Sequence, residues 1–166
     1  MEQEKIDISS KLYNTPFVEQ VAFNLEQLEY RYNELVEIDT SDKENQRLYL
    51  MIFDSFIVLF RAMFLETGNK QYTLQNYFKL RGQNNVADKI DTYLDSYFYD
   101  WDTISIKKVL KFIADKFVCH VDPISRIDLG MANAYMAALN NPYEKNNIRN
   151  IMKQLFDIIR EGLDTK

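Results

Sequence analysis

The chain contains one histidine, His120, and one cysteine, Cys119, and they are neighbours. A neutral imidazole can take up or release a proton near physiological pH, so His120 is the residue best suited to acid–base chemistry. Asp115, Lys116 and Asp122 stand close by in sequence. Lys107, Lys108 and Lys111 lie upstream at steps of one, three and four, a spacing that gathers them on one side of a helix. Such lysines can steer a phosphate toward His120, or they can simply solvate the helix that carries them. His120 has an equally ordinary structural role: an imidazole at a helix end can bond a last-turn carbonyl and complement the negative end of the dipole. Cys119 beside it reads either as a reactive thiol or as a small buried apolar residue.

These residues need a helix to hold them. Ile106, Val109, Ile113, Phe117 and His120 recur at steps of three and four, which puts them on one stripe of an amphipathic helix stopped by Asp122-Pro123. The same spacing recurs elsewhere. Residues 1–14 form a polar arm. Thr15-Pro16 is a cap-plus-proline start, and Phe17, Val21, Leu25, Leu28, Tyr32 and Leu35 carry a first helix to about Ile38. Ser41 and Glu44 make a capping box for a second helix through Leu48, Ile52, Phe56, Leu59 and Met63, ended by Gly68. That helix is apolar over most of its circumference and is expected at the centre, with Arg61 near its end.

A short helix is expected over Leu74 to Leu80, and a longer one from Val86 through Phe98. Thr103 is placed as the cap of the His120 helix. Ser125 to Leu139 is a helix rich in small residues, Gly130, Ala132, Ala134, Ala137 and Ala138, which let another helix approach closely. Asn141-Pro142 is read as the start of the last helix, whose apolar face is Ile148, Ile151, Leu155 and Ile158. No strand-period alternation competes, so the predicted fold is all-α, a single up-and-down helical bundle over residues 15–166.

Composition narrows the function classes. The chain has 166 residues, 46% of them apolar and 27% charged, the profile of one globular domain. A net charge of −5 argues against long phosphate-binding surfaces, so any nucleic-acid contact must be local. A lone cysteine excludes an internal disulfide and a Cys-rich zinc site. There is no Gly-rich phosphate loop, no H-E-x-x-H and no nucleophile elbow. No cofactor or metal is expected. The charged M-E-Q-E-K-I-D start has no apolar signal core, and the longest apolar run, Phe56 to Phe60, is too short for a bilayer. A cytoplasmic chain without membrane partners is therefore expected. From Asp88 to Asp102, carboxylates alternate with Tyr93, Tyr97, Phe98, Tyr99 and Trp101. Asp91 and Asp95 share a helix side and could hold a cation. A solvated acidic face over an aromatic core is the plainer reading, and a protein-binding surface the better functional one.

The run Ala114-Asp115-Lys116-Phe117-Val118-Cys119-His120-Val121-Asp122 resembles the signature of HEPN domains, notably the abortive-infection group, written R-N-K-x-x-A-H-x-D. Asp115, Lys116, His120 and Asp122 fall on its polar, lysine, histidine and aspartate positions. Cys119 takes the small-residue position and Ala114 the arginine position. The resemblance covers about a dozen residues. It implies an all-α bundle that dimerises with two motifs facing one cleft, and it implies metal-independent ribonuclease activity in defence, toxin–antitoxin or RNA-processing systems. RNA, an antitoxin or another protein are the partners it implies.

In that chemistry the histidine handles the 2′-OH or leaving-group proton and the arginine stabilises phosphate charge. Ala114 cannot do the latter. Lys116, or Arg61 from the second helix, would have to stand in. Three readings follow: a catalytically degenerate HEPN-like binding or regulatory component; an active metal-independent endoribonuclease using His120; and a helical interaction module with no nucleic-acid role.

Overall fold

The computed structural model describes residues 19–66, 73–100, 103–119 and 126–164, with the backbone alone at 117–119 and 126–127. Over these residues the chain is all-α. Seven α-helices follow in order: α1 (Glu19–Glu37), α2 (Lys43–Phe60), α3 (Leu74–Leu80), α4 (Asn84–Asp95), α5 (Ile106–Ile113), α6 (Arg126–Asn140) and α7 (Ile148–Asp164). Two of them widen at their C-terminal ends. Arg61–Leu65 continues α2 as a π-helical turn, and Ala114–Cys119 does the same for α5. The polar arm, Thr15-Pro16, Gly68, Trp101, Asp102, His120, Asp122 and Pro123 lie outside the described residues.

Each helix contributes one apolar face to a single core. On α1 that face is Val21, Ala22, Leu25, Leu28, Tyr32 and Leu35, the three-to-four pattern expected from sequence. α2 supplies Phe53, Phe56, Ile57 and Phe60, extended by Phe64 in the π turn, and α5 supplies Ile106, Val109, Leu110 and Ile113. The short α3 falls where the periodicity put it. Gly82, with φ at +74°, makes the left-handed turn into α4 that a side-chain-bearing residue would resist. α2 with its π turn, Lys43–Leu65, is the one stretch among the described residues long and apolar enough to span a membrane, and 39% of its most apolar window is buried in the core.

Three helix starts differ from expectation, for one reason. The cap of α2 is Asp42, not Ser41: its carboxylate accepts from Glu44 N at 2.7 Å and Asn45 N at 3.1 Å, while Ser41 bonds back to Asp39. A carboxylate is the stronger acceptor at the positive helix end. The cap of α5 is Ser105, not Thr103. Phe98 N–H donates to Ile104 O at 2.8 Å and Ile106 N–H to Ser96 O at 2.9 Å, and Tyr97 and Ser105 form an isolated antiparallel bridge. This holds the chain extended up to Ser105. The same loop ends α4 at Asp95, so Phe98 enters the core from the loop rather than from a helix. At α7, Asn141 makes a local turn, and the buried Asn147 caps by accepting from Asn150 N at 2.9 Å. In each case the surrounding backbone selects which of several polar residues caps.

The small residues of α6 do not provide close approach as a group. Ala132 and Ala138 are buried, whereas Gly130, Ala134 and Ala137 face solvent.

Burial also sets an alkaline limit on stability. It pushes the Tyr49 hydroxyl up to about 12 against the opposing pull of Arg149, and it pushes Tyr93 up to about 12. Unfolded tyrosines ionise near pH 10, so between about pH 10 and 12 the unfolded chain sheds protons that the folded chain keeps. The stabilisation is whole below pH 10 and is lost as pH rises toward 12. The denaturant midpoint should be level below about pH 9.5 and fall steeply above it, less steeply in Tyr49→Phe. A midpoint unchanged to pH 12 would contradict this burial.

Candidate functional site

The site is built where the two π-helical turns meet. A π turn inserts an extra residue per hydrogen-bonded ring, and such turns are frequent at functional sites. After α2, Glu66 N–H donates to Arg61 O at 3.2 Å, a five-residue closure. Gln75, buried at the start of α3, steadies this turn by donating from Nε2 to Phe64 O at 2.9 Å and to Asp91 Oδ1 at 3.0 Å. Asp91 is thereby a support for Gln75. No group of three or more metal-ligating side chains occurs among the described residues.

Arg61 projects from the first turn onto the second. Its Nε lies 3.0 Å from Asp115 Oδ1, and its NH1 lies 3.2 Å from Glu66 Oε1. The three side chains are each about 30% exposed, so the cluster sits in a partly screened recess. Arg61 Nε and Asp115 Oδ1 are themselves buried atoms, and their alignment is that of an ion pair rather than of a linear hydrogen bond. The pair ties the end of α2 to the end of α5, two elements far apart in the chain.

Two residues that sequence reasoning singled out separately are thus brought together: Asp115 from the motif and Arg61 as a candidate substitute cation. Lys116 occupies the same turn as Asp115 and is half-buried. Lys107 is partly exposed, and Lys108 and Lys111 are exposed, on the side of α5 opposite Ile106, Val109, Leu110 and Ile113. None of these four lysines is ion-paired with another described residue. His120 and Asp122 lie outside the described residues, and Cys119 is described only in its backbone.

No family model, curated protein or solved structure matches the chain. The chemistry of the site therefore rests on its own residues.

Ala114 is fully buried in the core. A guanidinium there would have to displace apolar neighbours or give up its water, so the fold itself accounts for alanine at this position. The α-helical period also stops at Ile113. A wider turn, Ala114–Cys119, follows; the Phe117 side chain and His120 lie outside the described residues.

Sequence reasoning missed Glu66, and no signal was available for it. A five-residue step from Arg61 is not a helical neighbour until the turn widens. It also missed a cavity of about 410 Å³ lined by Leu35, Val36, Leu50, Leu139 and Ile148, with Tyr49, Asn140 and Arg149 at its polar wall. There the Tyr49 hydroxyl donates to Asn140 Oδ1, and Arg149 NH2 donates to Val36 O at 3.0 Å. None of its lining residues belongs to the motif.

Proposed function

We propose that this chain is a HEPN-like helical domain that binds RNA without cutting it, as a regulatory component of a defence or toxin–antitoxin type system. The observation that carries the proposal is the state of Arg61. Ribonuclease chemistry of this kind needs a cation free to meet the phosphate as charge builds up, a contribution worth about 10²–10³ in rate. Here the guanidinium that reaches the motif already serves two carboxylates, Asp115 and Glu66. A phosphate would meet a cluster with more negative than positive charge. The buried Ala114 supplies nothing in its place. Lys107, Lys108, Lys111 and Lys116, with no ion pair among the described residues, by contrast offer positive charge on and just after α5, enough for a local contact with an RNA backbone in an otherwise acidic protein.

The test compares wild type and His120→Ala on mixed-sequence RNA with EDTA present, alongside fluorescence anisotropy on the same RNA. Cleavage should be absent in both. Affinity should fall about tenfold in a Lys107→Glu/Lys108→Glu/Lys111→Glu variant and should weaken with salt. Cleavage by wild type that disappears in His120→Ala would overturn the proposal in favour of an active metal-independent ribonuclease. In that case Arg61 must leave Asp115 for the phosphate. Neither cleavage nor binding would favour a plain protein-interaction module.

A further inference from the structure

The outward side of α2 sets exposed apolar residues among charged ones. Its inward side, Phe53, Phe56, Ile57 and Phe60, is fully buried. On the other side Leu48, Met51 and Val58 are exposed, Met51 by 70%. Beside them on α1, Phe23 is 53% exposed, and the two helices form the walls of a shallow groove that includes Phe23, Met51, Asp54 and Val58. Scattered exposed apolar residues are ordinary, but Phe23, Met51 and Val58 meet in one groove between two helices, and such a patch marks an interaction surface.

The stripe has the spacing of a helix–helix seam. Glu44, Arg47, Met51, Asp54 and Val58 follow at steps of three, four, three and four. Three of its five members are charged, and two of these, Arg47 and Asp54, are opposite charges on either side of Met51. Neither Arg47 nor Asp54 has an ion-pair or hydrogen-bond partner among the described residues. Partial burial in the groove, beside Arg31 and Ser55, also holds the Asp54 carboxyl above its usual range. A lipid surface fits this stripe poorly, since both charges would be drawn toward hydrocarbon.

A second copy of the same helix fits it well. Set antiparallel across a two-fold axis at Met51, the stripe brings each Arg47 to the partner's Asp54. Symmetry forms that contact twice. We infer that the outward face of α2, with the adjoining edge of α1, is a homodimer interface in which two antiparallel α2 helices pair about Met51 and exchange Arg47–Asp54 contacts.

The inference does not depend on the reading of the motif. It also differs from the facing-motif dimer that the HEPN resemblance implies. Arg61 lies ten residues beyond Met51, so the two Arg61–Asp115 clusters come to opposite ends of the pair, roughly 30 Å apart along the axis.

The test uses the full chain. Sedimentation equilibrium should give a dimer for wild type. Arg47→Asp and Asp54→Arg should each weaken it at least about tenfold, because each places like charges at both symmetric contacts. The double reversal, Arg47→Asp/Asp54→Arg, should restore dimerisation. This separates an interface effect from a folding defect, which circular dichroism checks independently. In a Cys119→Ser background, where no other thiol remains, Met51→Cys should oxidise to a covalent dimer. A monomeric wild type overturns the inference, as does a dimer indifferent to both reversals. A monomer that floats with phosphatidylcholine vesicles would reassign the face to lipid.

Discussion

Replacing Phe60 by alanine should cost about 3–5 kcal/mol of folding stability, read as a fall in the denaturant midpoint at an unchanged slope. Phe60 is fully buried on the last turn of α2. Its ring stacks on Phe64 at a centroid distance of 4.7 Å and lies 6.0 Å from Phe56, which in turn meets Phe53 at 6.4 Å. Truncation removes the transfer energy of a whole ring and leaves a void bordered by other rings. The π turn limits how far that void can collapse, because its carbonyls are already committed, Arg61 O to Glu66 and Phe64 O to Gln75. A domain of this size is stabilised by only about 5–15 kcal/mol, so the variant should be marginal at room temperature. Phe60 also directly precedes Arg61, and its loss should loosen the contact with Asp115. A loss below about 1 kcal/mol would show that these rings are not a close-packed core.

The second large effect is expected at Gly162. A Cβ there would stand 2.7 and 2.9 Å from the two methyls of Val86 and 3.0 Å from Phe78 Cε1. Gly162 is where α7 crosses closely over α4, and Gln83 Nε2 reinforces the crossing by donating to Gly162 O at 2.6 Å. Alanine would gain about 1 kcal/mol of helix propensity but lose about 1–3 to overpacking. Valine adds two methyls to the same gap and should lose about 3 kcal/mol or more. Pairing Gly162→Val with Val86→Ala should recover part of the loss, a coupling that thermal unfolding of the four-member cycle would expose. Gly130 is the control, since nothing lies within 4 Å of its added Cβ. Gly130→Ala should therefore stabilise by about 0.5–1 kcal/mol. If both glycines respond alike, the crossing is not as close as described.

These two glycines mark the boundary of sequence reasoning. Read locally, the small residues of α6, Gly130 among them, looked like the close-approach surface, and Gly162 drew no notice. The fold reverses this, because approach is a property of two elements and neither helix carries the other's position. The exposed stripe on α2 repeats the point. Its apolar circumference was legible and suggested a fully central helix, but which half the core would cover depended on where α1 and α5 came to rest.

The all-α class, the core face of α1 and the span of α3 were determined by the sequence itself. Helical period acts within a few residues of one segment. The candidate residues Arg61, Asp115 and Lys116 were also visible as residue types. Their relation was not. The Arg61–Asp115 contact joins distant segments, Glu66 joins it only because a turn widens to a five-residue closure, and Ala114 is excluded from surface chemistry only by the core behind it. Periodicity reports which side of a helix is apolar. Which residues meet, and which charges are spent on each other, is decided by packing between helices, and only the tertiary structure carries that.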